Sequence, residues 1–252
     1  MASFAARVVC GPCNNGWMSA LESRAQSWLT SMIAGHTTTL TPAAQMDLAA
    51  WVAMKAFVVE YALSAENEIV ATPHDRRGLM DTGHPLGAVQ VRVGAVERDG
   101  IPNSVRRIVY NVDSKGGPHG LAACTTFALG CAVLQVCYGL GITIDWRKTS
   151  RPGVDYVPLN PPCPGYVSWP PPVVLNASSL ADLGEAHRRL GPCVDHGRDP
   201  LGLGCGRAPG CLTTVGAAVA SIRVDPLHCL RLTRGMAARP PAPAAFRLSS
   251  WL

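Results

Sequence analysis

Two cysteines near the N-terminus have the spacing of a metal-binding knuckle. Cys10 and Cys13 open the run Cys-Gly-Pro-Cys-Asn-Asn-Gly-Trp-Met, and a Cys-x-x-Cys turn lets two thiolates face one metal ion. We expect Val8 and Val9 to end a strand before this turn and a helix to follow it. Structural zinc takes four ligands, and no other Cys-x-x-Cys pair occurs in the sequence. The segment is therefore half of a tetrahedral zinc site.

The segment around this turn resembles the second zinc knuckle of uncharacterised bacterial and phage HNH endonuclease-like proteins. The resemblance runs through Val9–Glu22 and continues in Gln45–Glu60. Shorter matches are Thr126-x-x-x-Gly130-x-x-x-x-Gln135 and Tyr166–Pro172, so it covers about residues 8–187. Its most specific part is the knuckle followed by Gly-Trp-Met-Ser.

The resemblance implies metal-dependent hydrolysis of DNA phosphodiester bonds. It implies that Cys10 and Cys13 hold a structural zinc ion together with an upstream Cys pair. It also implies that Asn14, at the last position of the HNH pattern, helps to hold a catalytic divalent ion such as magnesium. The family's first Cys pair and catalytic His lie further upstream than the nine residues that precede Cys10 here. We therefore expect a truncated remainder that is inactive as given.

Other roles for these residues remain open. Asn14 is also a suitable helix N-cap. A non-catalytic binding or scaffold protein with a vestigial knuckle is the main alternative to a nuclease. Two chains that pair their half-knuckles around one zinc ion would form a homodimer.

The remaining chemically capable side chains favour structural roles. Glu22 and Glu60 are single acids on predicted helices, typical of surface groups or partners of a nearby cation such as Lys55. We expect three further cysteines to be small buried hydrophobes and four large side chains to be core residues. These are Cys124, Cys131 and Cys137, and Trp17, Met18, Trp28 and Trp51.

Composition narrows the class of protein. Hydrophobic content of 48% and charged content of 15% exclude a wholly disordered chain. The net charge of +5 does not mark a nucleic-acid surface on the folded part, because residues 1–187 carry 13 basic and 14 acidic side chains. No signal peptide is recognisable at the N-terminus, so we expect a reducing cytoplasm in which close Cys pairs bind metal.

The order of predicted elements favours an α+β fold. Helices are predicted over 14–35 and from Thr41 to about Ser64, forming a hairpin, and residues 74–77 are predicted to form a polar turn. Period-two alternation predicts strands over 88–93 and 105–110, with a turn at Asp99-Gly100. Residues 122–136 add one or two buried strands. Residues 150–175 are Pro-rich and expected to be irregular, and 176–190 to be a short helix.

The sequence divides into three regions. Residues 1–35 contain the half-knuckle and first helix, and 36–187 form an α+β domain with a small, mostly antiparallel sheet. Residues 188–252 are dominated by Arg, Pro, Gly and Ala, and contain no Lys, Glu, Gln, Asn or Tyr. We expect this tail to be disordered or frame-shifted. Residues 116–144 carry no charge, but their glycines favour buried strands over a membrane helix.

Overall fold

Helices at the N-terminal end and an antiparallel sheet form the α+β fold that the sequence predicts. A computed structural model describes residues 9–63, 69–86, 88–97, 103–112, 120–140, 156–175 and 219–223. The helices are α1 (Gly11–Cys13), α2 (Ser19–Ile33), α3 (Pro42–Leu63) and α4 (Pro73–Thr82), and Asn14–Met18 joins the first two as a π-helical turn that is kinked at Gly16, whose φ of −102° and ψ of −113° are not helical.

The predicted helical hairpin consists of α2 and α3. One face of α2, carrying Leu21, Ala25 and Met32, is buried in the same core as α3. α3 is apolar around most of its circumference, and α2, α4 and the sheet all contact it. An all-round apolar helix is typical of a central, buried element.

α4 occupies the place where the sequence predicts only a polar turn. Thr72 caps it by accepting a hydrogen bond from the backbone N–H of Asp75, whose carboxylate accepts from the N–H of Thr72 in return. This reciprocal pair is a capping box, and Pro73 stands at the first helical position. Gly83 ends the helix with a φ of 71°, a left-handed conformation that glycine adopts without strain.

Within the described residues there are nine strands: β1 (Thr38–Leu40), β2 (Gln90–Val96), β3 (Ser104–Val112), β4 (Gly120–Leu129), β5 (Ala132–Leu140), β6 (Val157–Asn160), β7 (Val167–Trp169), β8 (Val174–Leu175) and β9 (Val219–Arg223). Seven of them form the main sheet, in the order β6-β2-β5-β4-β3-β9 with neighbours antiparallel, and with β8 paired in parallel with β2. β1 pairs with β7 in a small two-stranded ribbon.

The sheet differs from the sequence prediction in three places. β2 and β3 are not neighbours, because the β4–β5 hairpin lies between them. Residues 150–175 are not wholly irregular, since β6, β7 and β8 find partners there. Val219–Arg223 of the tail is not disordered but pairs with β3. The predicted turn at Asp99-Gly100 and the helix over 176–190 lie outside the described residues.

The two faces of the main sheet carry different kinds of side chains. One face packs on α3, and there the rings of Phe57 and Tyr138 meet edge to face with centroids 5.4 Å apart. The opposite face carries a smaller apolar cluster of Val96, Val133 and Leu175. It also carries buried polar side chains, described below.

Buried polar groups tie the helices to the rest of the chain. Glu60 of α3 is fully buried, and its Oε1 accepts from Arg107 Nη2 at 2.7 Å and from the backbone N–H of Val70 at 2.6 Å. At the start of α3, the side-chain amide of Gln45 donates to the carbonyl of Gly165 at 2.7 Å and accepts from the N–H of Cys163 at 3.0 Å. These bonds satisfy polar groups that would be costly to bury unpaired.

Within the described part of the chain, no helix combines the length and apolar character needed to cross a membrane. The uncharged stretch instead contains the whole of β4 and β5, which are largely buried.

Candidate functional site: the cysteine turn and its groove

Both cysteines of the predicted knuckle lie on one tight turn. Cys10 has extended backbone angles and precedes α1. Its Sγ accepts a hydrogen bond from the backbone N–H of Cys13 at 3.4 Å, and its carbonyl accepts from the N–H of Asn14 at 3.0 Å. Val9 is not in a strand, and Val8 lies outside the described residues. The structure thus brings the two thiols together without the predicted strand.

Asn14 is not the helix N-cap, because Cys10 occupies that position. Asn14 has right-handed helical angles and opens the π-helical turn. Its amide Nδ2 donates to the side-chain oxygen of Asn15 at 3.4 Å, whereas its Oδ1 is buried and accepts no hydrogen bond. A buried amide oxygen without a donor is uncommon, and it is a ligand type that divalent cations accept.

Apolar anchors fix the turn on the helical core. Met18, at the end of the π-helical turn, is 3% exposed, and Trp51 of α3 is also buried. Trp17 and Trp28 are half-buried and pack against the same core. These four side chains therefore have the core role that the sequence predicts.

Two salt bridges join α2 to α3 behind the turn. Lys55 of α3 is buried and bonds the carboxylate of Glu22, as the sequence suggests for this acid. Burial raises the pKa of Glu22 above its ordinary value, and the Lys55 ammonium only partly offsets that effect. Arg24 pairs with Asp47 at 2.8 Å in a more exposed bridge.

A groove of about 310 Å³ opens beside the cysteine turn. Its walls come from the turn, from α3 and from α4, and most of the side chains that line it are apolar. The guanidinium of Arg76 lies 5.1 Å from the centre of the Tyr61 ring. The lining residues are Val9, Cys10, Cys13, Trp17, Met18, Met54, Phe57, Val58, Tyr61, Arg76, Arg77, Leu79 and Met80.

The two thiols of the turn differ in exposure and acidity. Cys10 is exposed and Cys13 is half-buried. Hydrogen bonds from the side chain and backbone of Cys13 lower the pKa of Cys10 below the ordinary thiol value. The side-chain hydrogen bond with Cys10 and partial burial both raise the pKa of Cys13. Cys10 is therefore the thiol that first becomes a thiolate, the form that binds metal.

The turn supplies two sulfur ligands for a metal ion, Cys10 and Cys13. Among the described residues, His, Cys, Asp and Glu side chains nowhere form a group of three that could hold one ion. Cys10 and Cys13 thus fit half of a zinc site, and any further ligands must come from residues outside those described or from another molecule.

Neither the groove nor the buried acid that supports it is predicted by the sequence. Glu60 was expected at the surface or beside Lys55, yet it is fully buried and bonds Arg107, Val70 and Ala71. By bonding the residues just before α4, it holds that helix against α3 to form the groove. The capping-box pattern Thr-Pro-His-Asp at the start of α4 is the signal that could have predicted this helix.

Comparison with known proteins adds no relative. No family model, no curated protein and no solved structure matches the chain.

Proposed function

We propose that the cysteine turn is a half zinc knuckle in an HNH endonuclease-like protein, whose reaction is metal-dependent hydrolysis of DNA phosphodiester bonds. The observation that carries the proposal is the pairing of two thiols on one turn with the unpaired Oδ1 of Asn14 directly after it. Thiolates are zinc ligands, whereas an amide oxygen suits a harder ion such as magnesium. The turn therefore offers each metal the donor atom it prefers.

The zinc half of this proposal concerns structure, not catalysis. Cys10 and Cys13 would hold the ion, and the N–H of Cys13 already orients the Cys10 sulfur. Bound zinc would supply a rigid cross-link between the turn and whatever completes the site. Where no upstream Cys pair is present, we propose that a second copy of the chain completes the site, since two such turns contribute four thiolates and a two-fold interface matches one half to the other.

The nuclease half concerns Asn14. Its Oδ1 would bind the catalytic divalent ion, which polarises the scissile phosphate when bound. A general base is also needed, and the resemblance places it in an upstream segment. We further propose a cytoplasmic location, where thiols stay reduced and able to bind metal.

Zinc binding and assembly test the first half. Purified chain should carry about one zinc per two chains and elute as a dimer in size-exclusion chromatography with light scattering. Cys10→Ser and Cys13→Ser should each lose the zinc and give monomers. Cys163→Ser is the matched control, because Cys163 is half-buried, lies outside the turn and donates to the carbonyl of Pro158 at 3.6 Å. A zinc-free monomer, or zinc that survives both substitutions, would contradict the proposal.

Plasmid nicking tests the second half. With magnesium or manganese, and with the upstream half-motif restored if the chain alone is inert, supercoiled DNA should be nicked. Asn14→Ala should lower the rate by at least about 100-fold, since even the loss of a group that only orients a metal ligand costs about 10–100-fold. Gln26→Ala is the control, since Gln26 is exposed on α2 and lies outside the turn. Equal rates in the two variants would refute the role of Asn14.

The groove favours a second candidate function. An apolar surface beside two arginines is typical of a site that binds another polypeptide, and the chain would then be a binding or scaffold protein with a vestigial knuckle. A folded protein that carries no zinc and leaves DNA intact, even with the upstream half-motif restored, would favour this alternative.

A further inference from the structure

A second pair of cysteines lies in the main sheet, far in sequence from the knuckle. Cys124 of β4 and Cys137 of β5 stand directly opposite each other in the antiparallel register. Their Sγ atoms are 3.2 Å apart, and the two residues are 2% and 1% exposed. Both were expected to be buried, but no pattern in the sequence pairs them.

The spacing of the two strands is compatible with a covalent bond. Directly opposite residues of an antiparallel pair have Cα atoms about 4.5–5.5 Å apart, and disulfides span about 4.4–6.8 Å between Cα atoms. Closing the sulfurs from 3.2 Å to a bond of about 2.05 Å requires movement of roughly 1 Å. Side-chain rotation can supply this without a shift of strand register.

The surroundings of the pair include a buried cation. Arg92 of β2 lies beside both thiols on this face of the sheet, and its guanidinium is 4.9 Å from the centre of the Tyr156 ring. Arg92 also bonds Gln135, which in turn bonds Thr126. A cation next to a thiol favours the thiolate, which is the form that attacks oxidants and disulfides.

We propose that Cys124 and Cys137 form a cross-strand disulfide, which hydroperoxides install and small thiols remove. One sulfur, as thiolate, attacks the terminal peroxide oxygen and becomes a sulfenic acid, while the peroxide leaves as an alcohol or, from hydrogen peroxide, as water. The second thiol then attacks that sulfur and releases water. Two thiols and one hydroperoxide thus give one disulfide, one alcohol and one water. In the reverse direction, one small thiol attacks the disulfide to form a mixed disulfide and a second small thiol attacks that, which restores both cysteine thiols and releases the small thiols as their own disulfide.

This bond would fasten the β4–β5 hairpin at the centre of the sheet. The inference is independent of the proposed function, because neither cysteine lines the groove or belongs to the knuckle. The outcome of its test therefore does not depend on whether zinc or DNA binds.

The test uses full-length chain carrying Cys131→Ser, which removes the other buried thiol of this hairpin. After hydrogen peroxide, chymotryptic digestion, which cuts after Phe127 between the two cysteines, should yield a cross-linked peptide that is 2 Da lighter than its two parts. The thermal midpoint should rise by about 5–10 °C and return on reduction. The same chain with Cys137→Ser in addition should show neither effect.

An equilibrium measurement prevents slow access from obscuring the result. In glutathione redox buffers, the Cys124–Cys137 bond should form at a thiol-to-disulfide ratio at least about tenfold more reducing in native buffer than in denaturant, because the fold holds the sulfurs together. The same measurement on the wild-type chain, which should show the same preference, provides the result if Cys131→Ser disturbs the fold. Equal ratios in the two buffers, or linkage of either cysteine to a different partner, would overturn the proposal.

Discussion

The two cysteine pairs of this chain are built in opposite ways. Cys10 and Cys13 share one helical turn at the edge of a groove, where Cys10 is exposed to solvent. Cys124 and Cys137 come from two strands and are buried at the centre of a sheet. The turn presents its sulfurs to a ligand from outside, whereas the two strands hold their sulfurs against each other and away from solvent.

Acidity does not separate the pairs. Hydrogen bonds from Cys13 lower the pKa of Cys10. Burial acts to raise the pKa of Cys137, but bonding to Cys124 and the charge of Arg92 outweigh it and leave that pKa below the usual thiol value as well. Burial raises the pKa of Cys124. Each pair thus holds one thiol inclined to ionise, and access to solvent is what distinguishes their chemistry.

The largest expected effect is the difference in alkylation between the pairs. In chelator-treated, folded protein, iodoacetamide should modify Cys10 on the order of 1,000-fold faster than Cys124 or Cys137, because the buried pair reacts only when the sheet opens. Mass spectrometry of quenched time points measures the four rates. Similar alkylation rates for both cysteine pairs in folded protein would show that the two pairs do not differ in solvent access.

A smaller effect should follow from Arg107→Ala, which leaves the carboxylate of Glu60 buried without its cation. We expect the free energy of unfolding to fall by about 3–5 kcal/mol, measured by urea denaturation. More frequent opening should also speed the alkylation of Cys124 and Cys137, while that of Cys10 stays unchanged.

Arg24→Ala is the matched control, because the Arg24 and Asp47 side chains of that bridge are 48% and 24% exposed. It should cost less than about 1 kcal/mol. Equal losses in the two variants would mean that burial of the Glu60 pair contributes nothing.

The smallest effect concerns pH and the bridge that supports the cysteine turn. Because burial raises the pKa of Glu22, the folded chain keeps this proton to a higher pH than the unfolded chain does. The stabilisation that comes from holding this proton is fully present below the unfolded pKa of about 4.3. It is lost as pH rises through the raised pKa of the folded chain. The stability of wild type relative to Glu22→Gln should therefore fall over this window by under about 1 kcal/mol.

Urea denaturation of both proteins between pH 4 and pH 7 measures this difference. Glu97→Gln, at an exposed acid, is the matched control. A difference that grows in favour of wild type as pH rises would show that Lys55 outweighs burial at Glu22.

Local patterns predicted α2, α3 and the four longest strands, β2 to β5, but neither α4 nor the five shorter strands. Apolar spacing in α2 and the Thr41–Pro42 start of α3 are signals within one segment, and they identified both helices. Pairing depends on distant segments instead. Nothing in β2 or β3 alone shows that the β4–β5 hairpin separates them. The Arg-, Pro- and Gly-rich composition of the tail predicted disorder, whereas Val219–Arg223 pairs with β3.

The candidate site likewise has features that one segment predicts and features that depend on distant partners. Spacing alone predicted that Cys10 and Cys13 share a turn, since the four residues carry that geometry themselves. The burial of Glu60 could not be predicted, because its partners Arg107 and Val70 come from other elements. The pairing of Cys124 with Cys137 required the strand register, which a single sequence does not specify.

The hydrogen bonds of Gln45 have a consequence for the order of folding during synthesis. The amide at the start of α3 donates to Gly165, which follows it by 120 residues. At ribosomal rates of about 5–20 residues per second, that interval lasts about 6–24 s. The helical hairpin therefore leaves the ribosome long before the segment that closes over its first turn, and during that interval the newly made chain has this end of its core open to chaperones.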